Sequence, residues 1–264
     1  MGALKAAGRV ARAAFSESNY RRIRRVYDWL TAKPFPKITP LGPLHLWSEQ
    51  QRQKYIWFNH ARGFLQANRM DGVYAEFGCH EVKTFRFGLN TLGLYRIWQY
   101  RPPNKISHFY AFDSFEGMPE PIGIDRQKIW RKGMNLTTLD TFQAICKRDL
   151  HRITIVPGFF SDSLPSMKWN SDHRIALAYI DVDFYSSAKE ALGFIADKLQ
   201  HGSIIAFDDW NCYYADPMRG ERRAFAEWQQ SLSSVARFEP FLPIAWSGQS
   251  FIYQELDKLG KVIL

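Results

Sequence analysis

Beyond residue 71 the chain alternates between two hydrophobic rhythms. Short runs of aliphatic, β-branched and aromatic residues close on polar ones at Val73–Phe77, Ile106–Phe112, Ile153–Val156, Ile175–Ile180 and Ser203–Phe207. The segments between them are long enough for crossover helices. The best marked puts Ala188, Leu192, Ile195 and Leu199 on one face behind Ser187 and Glu190, which read as its capping pair. Near-continuous apolar strands separated by helices predict a sheet buried on both faces: an α/β, doubly wound, mostly parallel, Rossmann-like seven-stranded fold. Phe238–Phe241 and Ala245–Tyr253 read as two strands about a turn, which predicts an antiparallel C-terminal edge strand.

Upstream the rhythm is helical. Tyr20, Ile23, Val26, Tyr27 and Leu30 form an apolar stripe whose opposite face is filled with arginines. Pro34, Pro36, Pro40 and Pro43 predict an extended connector over residues 32–47. Ser48 and Gln51 then predict the start of a second amphipathic helix carrying Trp57, Ala61, Phe64 and Leu65. The expected organisation is a basic helical extension with its connector over residues 1–47, and one large α/β domain over 48–264.

Charge alters this picture only at the N terminus. Of the formal +9 on the 264 residues, residues 1–37 hold +7, and residues 38–264 carry only +2. A nucleic-acid partner is excluded, because no basic stripe runs through the body. The basic amphipathic face instead predicts peripheral contact with a membrane or an anionic glycolipid. A 46% hydrophobic content excludes a disordered chain, and no apolar run approaches the ~18 residues of a membrane span. Cys79, Cys146 and Cys212 are odd in number and widely spaced, which argues for a reducing, cytoplasmic setting. A small-molecule or glycan substrate and a homo-oligomeric state are expected.

The acidic residues fall where such a sheet places its chemistry, beyond the carboxyl ends of the strands. Glu76 and Gly78 close the first strand, Asp113 the second, Asp181 the fourth, and Asp208–Asp209 the fifth. If the fourth and fifth strands are neighbours, their ends lie roughly 5 Å apart. Asp181, Asp208 and Asp209 can then converge on one hard cation, Mg²⁺. An acid at a strand end also suits ribose hydroxyls or an amine, and Gly78 lets a ligand approach the backbone. A dinucleotide site asks for G-x-G-x-x-G, whereas Glu76–Thr84 contains one glycine. A cofactor without a diphosphate, such as S-adenosylmethionine, fits better than NAD. Three classes stay open at this point: an enzyme using that cofactor, a non-catalytic glycan- or cofactor-binding protein on the same fold, and a nucleotide-cofactor sugar oxidoreductase. Arg126, Trp130 and Arg131, with residues 210–214, are candidate borders of a sugar pocket.

Four stretches resemble the macrocin O-methyltransferase family, class I S-adenosylmethionine-dependent enzymes that methylate sugar hydroxyls on macrolide and aminocoumarin antibiotics. They are Tyr74–Gly78, Phe112–Pro121, Val156–Pro165 and Ile180–Ser187, continued by Phe207–Asp209 and Gly220–Trp228. The resemblance implies that Glu76 and Gly78 line the methionine end of the cofactor and that Asp113 holds the ribose. Ser114 and the turn containing Gly158, Phe159 and Asp162 would lie near ribose and adenine. Asp181, Asp208 and Asp209 match the family's magnesium ligands. Asp183 is the implied general base, with Asp181 the other candidate and also beside the cofactor. The helix after Ser48 would be a lid. The family commonly has a second glycine where this chain has Val82, so a bulkier turn is expected at the methionine pocket.

Overall fold

The computed structural model describes residues 42–93 and 106–263. The basic helix expected over residues 20–30 and the connector through residue 41 lie outside the described residues. The chain divides into two compact units, Met1–Tyr55 and Ile56–Leu264.

Seven strands form one sheet: β1 Gly72–Phe77, β2 Ile106–Asp113, β3 Ile153–Pro157, β4 Ile175–Ile180, β5 Leu199–Phe207, β6 Ala236–Ile244 and β7 Gly248–Glu255. Their order is β3-β2-β1-β4-β5-β7-β6. The first five are mutually parallel, and β7 runs antiparallel between β5 and β6. Chain order reverses between β1 and β4, which puts the ligand crevice at their carboxyl ends. The central strands are apolar because both faces are covered: every residue of β4 is buried. Pro240 and Pro243 are tolerated in β6 because it is the edge strand, and its register shifts between them.

Among the described residues the α-helices are α1 Gly42–Ala67, α2 Lys83–Leu92, α3 Leu139–Cys146, α4 Phe160–Ser166, α5 Tyr185–Ile195 and α6 Gly220–Ser231. Phe58 of α1 packs between Tyr74 and Tyr179, 6.1 and 5.4 Å from their rings. Elsewhere in the core Phe77 stacks on Phe112 at 4.4 Å. Among the described residues no helix is long and apolar enough to cross a membrane.

Four local expectations are corrected. Helix α1 starts at Gly42, so residues 42–47 are helical and Ser48 lies inside the helix. Pro43 falls in the first turn, where its missing N–H has no intrahelical partner to lose. Helix α5 starts two residues before Ser187 and has no cap from its own N-cap residue. The carboxylate of Asp125 caps it instead, accepting the N–H groups of Tyr185 and Ser186 at 2.7 and 3.2 Å. Leu199 opens β5 rather than closing the helix. Ala245 sits in the β6–β7 turn with φ 49°, not in a strand.

Candidate active site

Strands β4 and β5 are neighbours, with Ile180 paired to Phe207. The Asp208 N–H donates to Ile180 O at 2.9 Å, and the Asp181 N–H to Phe77 O at 2.9 Å. These pairings level the strand ends and bring the expected acids together. Oxygens of Asp181, Asp208 and Asp209 all lie within 4.8 Å of one another. Such an all-carboxylate oxygen set suits a hard divalent cation. Asp208 is buried, and the Tyr179 hydroxyl donates to it at 2.5 Å. Burial and then the charge of Asp208 push that phenol well above its usual range.

Asp183 does not complete this triad. It shares Asp209 with a second group, Asp183–Asp209–Cys212. Its φ of 57° turns the chain after Asp181 so that its own N–H donates to Asp209 Oδ2 at 3.1 Å. Cys212 Sγ lies 3.3 Å from Asp209 Oδ1. Burial, followed by the charge of Asp209, pushes this thiol far above the ordinary range.

The expected cofactor residues gather at the ends of β1, β2 and β3. Phe77, Phe112 and Val156 are level in register. The Gly78 N–H donates to Phe112 O at 2.8 Å, and the Gly158 N–H to Asp113 O at 3.0 Å. Gly78 has φ 84°, and a Cβ there would sit 1.9 Å from the Asp181 carbonyl oxygen. Close approach of β4's end therefore requires glycine here, in addition to any ligand. Glu76 is fully buried, receiving the hydroxyls of Tyr74 and Thr84. Asp113 accepts the N–H of Cys79 on Oδ2 and of Phe115 on Oδ1, both at 2.6 Å. Burial raises the Asp113 carboxyl above its usual range, while those two N–H groups and His80 oppose the rise. Ser114 caps its own turn, accepting the Glu116 N–H and donating to Gly117 O. Phe159 precedes α4, whose first turn holds the exposed Asp162. Val82, where a bulkier turn was expected, has φ 58° and ψ 14°. A β-branched residue in this left-handed region is strained, and glycine would occupy it freely.

Two contributors were not anticipated. Tyr179 reads as strand core, yet its hydroxyl reaches Asp208. Glu221, in the first turn of α6, is 1% exposed and accepts the Asp209 N–H at 2.9 Å. Burial pushes its carboxyl well up, and Asp209, Asp181 and Asp208 push it further. The Gly220–Trp228 stretch was the available signal. Trp130 of the loop after β2 lies edge-on to Phe184 at 6.4 Å, beside the Asp181–Asp183 turn.

The profile of the family described as macrocin-O-methyltransferase (TylF) matches residues 102–235. A relative from Streptomyces olivaceus, 8-demethyl-8-(2,3-dimethoxy-alpha-L-rhamnosyl)-tetracenomycin-C 4'-O-methyltransferase, is 31% identical over 112 residues. The match covers 38% of this chain and 41% of that relative, so the similarity spans less than half the relative's length. Among solved structures, CalS11, a calicheamicin methyltransferase, is similar at TM-score 0.60 and 22% identity, over 90% of this chain and 93% of that one. The O-methyltransferase NovP is similar at TM-score 0.56 and 17% identity, over 76% and 79%. Both likenesses are of fold.

Proposed function

The chain belongs to the macrocin-O-methyltransferase (TylF) family, and from that premise we propose that it moves a methyl group from S-adenosylmethionine to a sugar hydroxyl of a glycosylated natural product or glycan, with Mg²⁺ held by Asp181, Asp208 and Asp209. The observation that carries this reading is the convergence of those three carboxylates within 4.8 Å, at the crevice where strand order reverses. Three like charges so close repel one another unless a cation or protons meet them.

A sugar hydroxyl has a pKa not far below the ~15.7 of water. Full ionisation at neutral pH would therefore cost on the order of 11 kcal/mol, too much for an aspartate base alone. A divalent cation supplies the charge that stabilises oxyanion character on the acceptor. S-adenosylmethionine supplies an activated methyl on a cationic sulfur, so the protein's main task is positioning. Residues at the ends of β1–β3 would hold the cofactor: the Gly78 and Gly158 turns leave backbone accessible, and Asp113 keeps lone pairs on both carboxylate oxygens beyond the two N–H groups it accepts. Asp183, held against Asp209, takes the acceptor proton on its carboxylate, with Asp181 the alternative.

The test has three arms. Calorimetry is expected to show S-adenosylmethionine binding, and its absence would sink the whole reading. Radiolabelled methyl transfer onto a panel of rhamnosylated natural products, nucleotide sugars and lipid-linked glycans should identify the acceptor class. Undiminished turnover in EDTA would overturn the metal's part, and Asp208→Ala is expected to abolish turnover.

A further inference from the structure

We propose that Glu221 is a positioning residue for the divalent cation: its carboxylate braces the two loops that carry Asp181 and Asp208–Asp209 and so sets the span of the three donors. The inference rests on the metal reading above. A glutamate in the first turn of a helix is ordinarily explained by the helix dipole and stays at the surface. Glu221 departs from that pattern because it is buried and both of its oxygens are directed to other segments. Oε2 accepts the Asp209 N–H at 2.9 Å, and Oε1 faces the Val182 N–H at the longer distance of 3.5 Å. Val182 follows Asp181 at the end of β4, and Asp209 is itself a donor residue at the end of β5. One side chain thus tethers both loops of the triad.

The start of α6 is built to aim it. Gly220 has φ 54°, and a Cβ there would meet the Tyr213 ring at 2.9 Å and the Asp183 carbonyl at 3.5 Å, so the helix begins pressed against both loops. The next residue, Arg222, donates to Trp210 O at 2.7 Å and to Asn211 Oδ1 at 2.8 Å, holding the remainder of the β5 loop. A buried acid beside three other carboxylates is an unfavourable choice for joining two loops by itself. It becomes useful where the loops must present oxygens at fixed separation to a cation. Residues that orient metal ligands in this way change metal affinity by about 10–100-fold when altered.

Mn²⁺ serves as the probe, titrated into the full chain and followed by electron paramagnetic resonance. Glu221→Gln preserves size but turns an NH₂ group toward one of the two backbone N–H donors. It is expected to weaken Mn²⁺ binding by about 10–100-fold, with the near-ultraviolet circular dichroism retained. Glu221→Asp keeps the carboxyl group but falls short by one methylene, and is expected to weaken Mn²⁺ binding too. Wild-type affinity in either folded variant overturns the inference, whatever happens to the melting temperature. Failure of both variants to fold assigns Glu221 to structure alone and overturns it as well. A wild-type protein that binds no Mn²⁺ instead defeats the metal reading on which the inference rests.

Discussion

At the ends of β1 and β2, Glu76 and Asp113 stand well apart in role from the acids at the ends of β4 and β5. Glu76 is enclosed and receives two hydroxyls, and Asp113 receives two backbone N–H groups that tie the β1 loop to the β2 loop. These carboxylates work as pins, each matched to donors. At β4 and β5 donors are also present, from Tyr179 to Asp208 and from Asp183 to Asp209. What differs is that three carboxylates crowd within 4.8 Å, with buried Glu221 behind them. Hydrogen bonding alone does not set the two groups apart; the crowding of like charge does, and it is what the proposed metal role rests on. A pin contributes through the N–H and O–H groups it satisfies. On the proposed metal reading, the crowded acid set is there to receive a cation.

The largest expected effect tests the crowded half. Asp209→Asn retains an oxygen for the Asp183 N–H but removes a charge from the triad. We expect Mn²⁺ affinity to fall by more than about 100-fold, beyond the range of outer residues, while the melting temperature in EDTA holds or rises. A clear drop in that temperature with metal affinity intact would make Asp209 a pin and erase the contrast. The next effect tests the pinned half. Asp113→Ala strands two backbone N–H groups, and hydrogen bonds to a charged partner contribute about 1.5–3 kcal/mol. Urea unfolding should show a loss of about 2–3 kcal/mol, and Mn²⁺ affinity should stay at the wild-type value.

Much of this contrast is legible in the sequence, for physical reasons. The run Ile175–Ile180 reads as a strand covered on both faces, and the separation of Asp181 from Asp208 is one helix and one strand, so their meeting follows from strand adjacency. Pins are harder to read. Asp125 caps a helix that starts 60 residues further on, and no local pattern links them. Glu221 looks like an ordinary first-turn acid until the β4 and β5 loops are seen to bring their N–H groups to it. Ser187 and Glu190 have the right spacing for a capping pair, yet Asp125 reaches the N–H groups two residues earlier. At Val82 the sequence shows a bulky β-branched residue, but only the backbone shows that it takes a left-handed conformation.

Smaller effects sharpen the pinned class. Asp125→Ala removes the acceptor for two N–H groups at the start of α5, and loss of a helix cap costs about 1–2 kcal/mol. Urea titration reads that loss, and a neutral result would show that water caps the helix equally well. The smallest effect concerns the charge on Asp113. Burial leaves its folded carboxyl above the usual range despite the two N–H donors. A group raised in this way contributes its stability below the unfolded pKa and loses it as pH rises through the folded value. Comparing wild type with Asp113→Asn from about pH 3 to about pH 6, across the ordinary carboxylate range, cancels the titration of the other acids. The stability difference in favour of wild type should shrink as pH rises. Growth of that difference instead would mean that the Cys79 and Phe115 N–H groups outweigh burial, making Asp113 a stronger pin and the contrast with the crowded triad sharper still.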